Sequence, residues 1–152
     1  MQMFPGDDDD YARRLRDARE IAGKSIDEMA ALLGISWESY NELEEDDEEI
    51  TDSVSLRQLV TLSKALNFDL PEFFSSDRLA KADSVSLEVL ARKISEYIVT
   101  HKLSVDDFEE MAGWEVATCL TNPSRFMNFN LVGLMEVCEV VGVDWRAVLA
   151  RL

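Results

Sequence analysis

Residues 25–40 read SIDEMAALLGISWESY, and this stretch decides the fold. Ser25 is followed three residues later by Glu28, which is the spacing of a capping box at the start of a helix. The apolar residues at helical spacing, which predict the buried face of this helix, are Met29, Leu32 and Leu33. Gly34 is able to take the positive φ that ends a helix, and Ser36 is suited to cap the next one. The stretch therefore predicts two helices joined by a very short turn.

Helical spacing of apolar residues continues on both sides of this stretch. It predicts further helices over residues 11–22, over 36–43, from Ser53 or Ser55 to Leu66, and from Pro71 through Phe74. In the first of these, the predicted buried stripe is Tyr11, Leu15, Ala18 and Ala22. The acidic run from Glu44 to Glu49 is interpreted as a loop. No alternating strand pattern occurs, so the sequence predicts an all-α fold.

The second half of the chain repeats the pattern of the first. Residues 24–29, KSIDEM, reappear as 103–108, LSVDDF, at an offset of 79, and the apolar positions of 56–66 reappear in 131–141 at an offset of 75. The four residues that the second copy lacks fall in the acidic loop, where deletions are tolerated best. We therefore expect two tandem five-helix units packed together. The predicted organisation is an acidic tail over 1–10, a first unit over 11–75, a link over 76–83 and a second unit over 84–152.

The charge balance limits the partners that the chain can attract. It has 15 Lys and Arg residues against 31 Asp and Glu residues, a net charge of −16. Nucleic acid is bound through Lys and Arg, which displace counterions from phosphate, so a chain this acidic repels DNA over much of its surface. An anionic membrane is disfavoured for the same reason. A basic protein partner, by contrast, is attracted from a distance.

Nothing in the sequence is arranged for catalysis or for holding a metal or a cofactor. There is no Gly-rich phosphate loop, and the single histidine, His101, is interpreted as a helix C-terminal residue. The residues Asp7 to Asp10 are interpreted as a solvated tail. Cys119 and Cys138 are interpreted as reduced and buried because no export signal is recognised, and a cytoplasmic location is expected. We therefore expect a non-enzymatic protein.

The first half resembles the Xre/Cro type of helix-turn-helix, the phage-repressor family. The resemblance is carried by Leu15-Arg16, Arg19, Gly23, Ser25, Met29-Ala30, Leu33-Gly34-Ile35-Ser36, Leu43-Glu44, Ala65-Leu66-Asn67 and Phe73-Phe74. It implies a lambda-repressor-like unit in which Ala30 is small at a helix crossing and Gly34 forms the turn. It also implies an ion pair between Arg19 and Glu44 that fastens the first helix to the third. The second half is a degenerate copy, with Gly113-Trp114-Glu115 at the turn and Pro123 shortening the third helix.

Membership of this family implies DNA binding through the third helix, but the contact positions disagree. The first position of the second helix holds Ile26 where a polar residue contacts phosphate, and on the third helix only Asn41 suits base recognition. From Glu38 to Asp52 there are nine acidic residues and no basic one. Each like-charge pair at such distances costs roughly 0.6–1 kcal/mol. Several pairs would therefore cancel much of the roughly 5.5–8 kcal/mol of non-specific DNA binding.

Two hypotheses follow from these observations. The first is a regulator that binds a basic protein, of the immunity or antitoxin type or the antirepressor and DNA-mimic type, through Trp37, Glu38, Asn41, Glu42, Glu45, Asp46 and Asp47. The second is a transcriptional regulator that binds DNA, as a homodimer, through Ser36, Trp37, Ser39, Asn41 and Arg57. Trp37 itself is interpreted either as a contact hot spot for the partner or as a residue that packs against the second unit.

Overall fold

The computed structural model describes residues 10–75 and 84–152, and the chain divides into two compact units, Met1–Arg78 and Leu79–Leu152. Every regular element in the described residues is a helix, which confirms the predicted all-α fold. The predicted link over 76–83 and the predicted tail, except for Asp10, lie outside the described residues. Within the described ranges, no helix is both long and apolar enough to cross a bilayer.

The described part of the first unit contains six α-helices. They are α1 (Tyr11–Ile21), α2 (Ile26–Leu33), α3 (Trp37–Leu43), α4 (Glu49–Asp52), α5 (Leu56–Leu66) and α6 (Leu70–Phe74). The prediction of five helices is therefore wrong for this unit, because it treats Glu44 to Glu49 as a loop and misses α4. Ile50 and Thr51 are buried in the fold and hold this single turn in place. Four residues are too few to show a helical period in the sequence.

The two helices that the sequence predicts around Gly34, and the short turn between them, are present at the predicted residues. Ser25 caps α2 by accepting the N–H of Glu28, and Ser36 caps α3 by accepting the N–H of Ser39. Gly34 adopts a φ of 68° between the two helices. The buried residues of α2 are Met29, Ala30 and Leu33.

Two of the predicted core residues are nevertheless exposed. Leu32 is 50% exposed, because it lies about 100° around the helix axis from Leu33 and so turns away from the buried face of α2. Ala22 follows the last residue of α1 and is also exposed. Helical spacing places a residue on a face, but it does not say where that face ends.

The described part of the second unit contains five α-helices and one 3₁₀ helix. They are α7 (Leu87–Thr100), α8 (Val105–Ala112), α9 (Ala117–Thr121), the 3₁₀ helix Pro123–Asn128, α10 (Leu131–Val141) and α11 (Trp145–Leu149). The helix that follows the turn is only five residues long and ends just before Pro123, as the sequence predicts.

Backbone geometry recurs between the units at the offsets found in the sequence. Left-handed residues occur at the paired positions Gly23 and Lys102, Gly34 and Gly113, and Asn67 and Gly142. Helix caps recur in the same way, at Ser25 and Ser104 and at Asp69 and Asp144. Lys102 takes a φ of 54°, although its side chain disfavours it, at the position where the first unit has a glycine. These coincidences support the sequence alignment, while the packing of two copies together stays a prediction.

Candidate partner-binding face on helix α3

Helix α3 is fixed to the first unit along its inner side. Tyr40 and Leu43 are buried, and the N–H of Ile35 in the turn donates to the carbonyl of Ala30 at 3.0 Å. Ala30 is only 4% exposed, in keeping with the small residue expected at this crossing. The opposite side of α3 is therefore presented outward by a rigid support.

An ion pair joins the C-terminal end of α3 to α1. Arg19 holds the Glu44 carboxylate at both oxygens, with Nε–Oε2 at 2.7 Å and Nη2–Oε1 at 3.0 Å. The Glu44 side chain is 2% exposed and that of Arg19 is 14% exposed. The hydrogen bonds to Glu44 raise the pKa of the Arg19 guanidinium above its usual range. Arg16 adds a bond from Nη2 to the backbone carbonyl of Glu44 at 2.8 Å. The pair implied by the family resemblance is thus present.

Tyr40 lies beside this ion pair as a fully buried phenol. Its hydroxyl has no hydrogen-bond partner of good geometry among the described residues. Burial, together with the neighbouring Glu44 carboxylate, raises the pKa of Tyr40 far above its ordinary value, so the phenol stays protonated. We therefore interpret the cluster of Arg19, Glu44 and Tyr40 as structural. The charges of Arg19 and Glu44 cancel, and Tyr40 is uncharged.

Asp47, which the sequence placed on the partner-binding surface, is instead bound to α1. Its Oδ1 accepts the backbone N–H of Ala12 at 2.9 Å and so satisfies a free donor in the first turn of that helix. Asp10, which precedes α1, makes no such side-chain cap. Asp47 is half-buried by this contact. We therefore correct the predicted surface by removing Asp47, whose carboxylate serves the fold.

Asp46 has a local backbone role but remains exposed. Its Oδ1 accepts the N–H of Glu48 at 2.9 Å, which shapes the turn between α3 and α4. It contributes charge to the surface, but its side chain is held in place. Asp46 therefore lies at the edge of the candidate site.

The remaining predicted residues lie on the outer side of α3 or just beyond its end, and we call them the α3 face. It consists of Trp37, Glu38, Asn41, Glu42 and Glu45. Their spacing makes two rows on the helix, one with Trp37 and Asn41 and the other with Glu38 and Glu42, and Glu45 follows just beyond the end of α3. Trp37 is 46% exposed, the three glutamates are exposed, and Asn41 is half-buried. None of the five side chains forms an ion pair or a hydrogen bond with another described residue.

Two of the glutamates of the α3 face, Glu42 and Glu45, occupy positions that weaken the helix. Glu42 lies in the last turn and Glu45 lies just beyond the end, where the helix dipole disfavours negative charge by about 0.3–1 kcal/mol per residue. Glu38 and Glu42 are four residues apart, a spacing at which like charges destabilise a helix by about 0.2–0.5 kcal/mol. No basic residue lies on α3 to compensate them. Local stability therefore does not account for Glu42 and Glu45, whereas Glu38 lies in the first turn, where the helix dipole favours a carboxylate.

The residues that would contact DNA under the second hypothesis provide few free donors and little positive charge. Ser36 and Ser39 are exposed, but the Ser36 hydroxyl accepts the Ser39 N–H and donates to the Ser39 hydroxyl at 2.9 Å. Arg57 is exposed in the first turn of α5. Most of the other basic residues of residues 10–75 are bound in ion pairs or backbone contacts: Arg13, Arg14, Arg16, Arg19 and Lys24. Within that range, the cationic groups of Arg57 and Lys64 make neither an ion pair nor a hydrogen bond to a described backbone carbonyl.

The second unit builds its turn in a different way. Glu109 stands at the position of Ala30, and its Oε2 accepts the N–H groups of Val116 at 2.6 Å and Ala117 at 3.2 Å. This carboxylate caps α9, which has no cap from its own N-terminal residue. Trp114 lies against Gly133 of α10 and donates from Nε1 to Glu136 at 2.5 Å. The Glu109 cap was not predicted from the sequence. The signal that could have indicated it is that the second unit lacks the Gly-Ile-Ser turn, and with it the serine that caps the following helix in the first unit.

No protein-family model, curated protein or solved structure matches this chain. The resemblance to Xre/Cro proteins therefore stays a prediction, and the function has to be argued from the α3 face itself. In the two described ranges, no three His, Cys, Asp or Glu side chains come together in a way that could hold a metal ion. Cys119 and Cys138 are free thiols and buried, and burial raises the pKa of Cys138 to about 12.

Proposed function

We propose that this chain is a non-enzymatic regulator of helix-turn-helix type that binds a basic protein through the α3 face. The observation that carries the proposal is a half-exposed tryptophan together with three exposed glutamates that form no ion pair with any described residue. They lie on, or just beyond, the helix that the resemblance would assign to DNA recognition. Such a surface repels phosphate and attracts Lys and Arg. The proposed classes are an immunity or antitoxin protein, or an antirepressor that presents the charge of DNA.

The charge of the whole chain supports the same partner. A net charge of −16 steers a basic protein towards the molecule and speeds its association at low ionic strength. The unpaired glutamates then supply local contacts, while Trp37 supplies apolar area of the kind found at contact hot spots. The contacts of Glu44 with Arg19 and of Asp47 with α1 fix α3 and the turn after it to the rest of the unit. The backbone that carries Trp37 and the glutamates is therefore held in place before the partner binds.

Sequence-specific DNA binding is the alternative function, and two residues favour it. Asn41 is half-buried on α3, and asparagine is a residue type that pairs with adenine, while Arg57 is exposed and suited to contact a phosphate. The same duplex would have to approach Glu38, Glu42 and Glu45, which no described residue neutralises. We therefore keep the basic protein as the favoured partner.

A charge reversal separates the two functions. The double variant Glu42→Lys with Glu45→Lys should lose affinity for the basic partner and gain non-specific affinity for duplex DNA. The matched control is Glu110→Lys with Glu139→Lys, which changes the net charge equally at exposed sites of the second unit. The partner is captured from the native cell on the immobilised full chain after nuclease treatment, and duplex binding is measured by gel mobility.

The favoured function requires that the α3 variant release the captured basic protein while the control variant retains it. Equal effects of both variants would mean that only total charge matters, and the α3 face would then have no special role. Tight duplex binding by the unaltered chain at about 0.15 M salt, lost on changing Asn41 and Arg57, would establish the DNA-binding alternative instead.

A further inference from the structure

The α3 face offers more than negative charge, because Trp37 is its largest apolar group. The indole is 46% exposed, and its N–H has no partner among the described residues. Asn41 follows one helical turn later on the same side of α3, and its side chain is half-buried. The other two tryptophans differ, since Trp145 is 3% exposed and Trp114 is packed against Gly133 and hydrogen-bonded to Glu136. Trp37 is thus the tryptophan of the described chain that is open to a partner.

The chemistry around Trp37 restricts what could cover it. An apolar partner surface would bury Glu38, Glu42 and Glu45 without counter-charges, and an unpaired buried carboxylate is strongly unfavourable. A polyanion would be repelled by the same three groups. A partner that covers the indole must therefore bring cations, and at least one of them must tolerate contact with an aromatic ring.

Arginine meets both requirements better than lysine. Its guanidinium is planar and weakly hydrated, stacks on an indole, and forms paired hydrogen bonds with a carboxylate. An ammonium group holds its water more strongly and gains less from the flat ring. Glu38 and Glu42 lie one helical turn apart, about 6 Å along the axis, which suits basic side chains at a similar spacing on the partner.

We propose that the α3 face recognises arginine in its protein partner, with one guanidinium stacked on Trp37 and neighbouring basic side chains paired with Glu38, Glu42 and Glu45. The inference rests on the proposed function, since it names the chemical group that the α3 face selects. It makes Trp37 the residue that discriminates between basic partners, whereas the glutamates supply attraction that any cation would feel.

The test uses the full chain and two dye-labelled probes of equal charge, a peptide of nine arginines and a peptide of nine lysines. Dissociation constants are measured by fluorescence anisotropy at about 0.15 M NaCl, where long-range attraction is screened. The arginine peptide should bind about three- to thirtyfold more tightly than the lysine peptide. Trp37→Ala should remove this preference, and Ile21→Ala, which changes an 88% exposed apolar residue of α1, should leave it intact.

A pair of charge variants separates this inference from the proposed function. Glu38→Gln with Glu42→Gln should weaken both peptides more than Glu110→Gln with Glu139→Gln does. Suppose that the Glu38 and Glu42 double variant weakens binding as expected, but the unaltered chain binds both peptides equally, or Trp37→Ala keeps the preference for arginine. The α3 face is then a basic-protein site without arginine selection, and the inference is overturned. If the two double variants behave alike, the proposed function fails as well. A shift of the Trp37 indole N–H resonance on adding the arginine peptide gives the direct readout.

Discussion

Glu44, Glu45 and Asp47 are near neighbours in one acidic run, yet they do different things. Glu44 is buried against Arg19, and Asp47 accepts a backbone N–H of α1. Glu45 is exposed and forms no ion pair with the residues that the structure describes. All three carry a carboxylate, so the sequence alone does not show which of them is buried, except through the resemblance that implied the Arg19–Glu44 pair. The partner of each carboxylate is set by which helix lies next to it.

The buried ion pair makes a direct prediction for stability. Arg19→Met should lower the free energy of unfolding of the first unit by about 3 kcal/mol, because the Glu44 carboxylate would remain buried with only Arg16, 3.9 Å away, as a counter-charge. Arg57→Met, which removes an exposed cation, should change it by less than about 0.5 kcal/mol. Urea unfolding followed by circular dichroism measures both. Equal effects of the two substitutions would show that the pair contributes no more than a surface charge.

Gly133 shows how a single missing side chain makes room for a packing contact. A Cβ at this position would lie 2.9 Å from the Trp114 ring, closer than packed carbon atoms allow. Gly133→Ala should therefore destabilise the second unit by about 1 kcal/mol, because overpacking outweighs the gain in helix propensity. In a Trp114→Leu background the same substitution should stabilise it, because only the propensity gain remains. Thermal unfolding of the four proteins tests this change of sign, and a destabilising Gly133→Ala in both backgrounds would refute the packing argument.

At the scale of elements, the α2–α3 turn of the first unit and the α8–α9 turn of the second unit occupy corresponding positions but cap the following helix with different residues. In the first unit Ser36 caps α3 from its own N-terminal position. In the second unit Glu109 reaches from α8 to cap α9, at the position where the first unit needs a small alanine. The second turn therefore depends on a contact between helices, which sequence comparison with the first unit does not reveal.

This difference predicts unequal roles for two adjacent glutamates of α8. Glu109→Ala should destabilise the second unit by about 1–2 kcal/mol, because it leaves two N–H groups at the start of α9 without their acceptor. Glu110→Ala removes an exposed carboxylate from the same helix and should be close to neutral. Hydrogen exchange at Val116 and Ala117 should rise only in the Glu109 variant. Unchanged protection at these amides would contradict the capping role.

At the scale of the whole molecule, negative charge is the dominant feature. The chain has 31 acidic and 15 basic residues. Folding brings the excess carboxylates closer together than they are in the unfolded chain, so they repel one another more strongly in the folded state. Most cations of residues 10–75 are already bound by the fold, so the acidic surface is poorly neutralised. Such a surface attracts cations from a distance, as the proposed function requires.

The same charge predicts how stability responds to salt. Raising NaCl from about 10 mM to about 200 mM should raise the melting temperature, because screening weakens the repulsion among carboxylates more than it weakens the buried Arg19–Glu44 pair. Differential scanning calorimetry at constant pH measures the shift, with sodium sulfate and sodium chloride compared at equal ionic strength to separate screening from ion-specific effects. A melting temperature that falls with salt would mean that surface ion pairs dominate.

The sequence by itself determined the all-α fold, the positions of the main helices and the recurrence of caps and left-handed residues between the two halves. These features depend on local periodicity and on residues such as Ser25, Gly34 and Asn67, whose preferences act within one turn of chain. It also indicated that the third helix carries charge unsuited to DNA, since charge is read directly from composition.

Only the tertiary structure decided which acidic residues of the described ranges are bound within the fold. It assigned Asp47 to the cap of α1, exposed Leu32, added α4 around Ile50, and used Glu109 to cap α9. Each of these depends on a neighbour far along the chain. The physical reason is that helical period specifies the direction of a side chain, whereas its burial and its bonding partner depend on which other helix packs there.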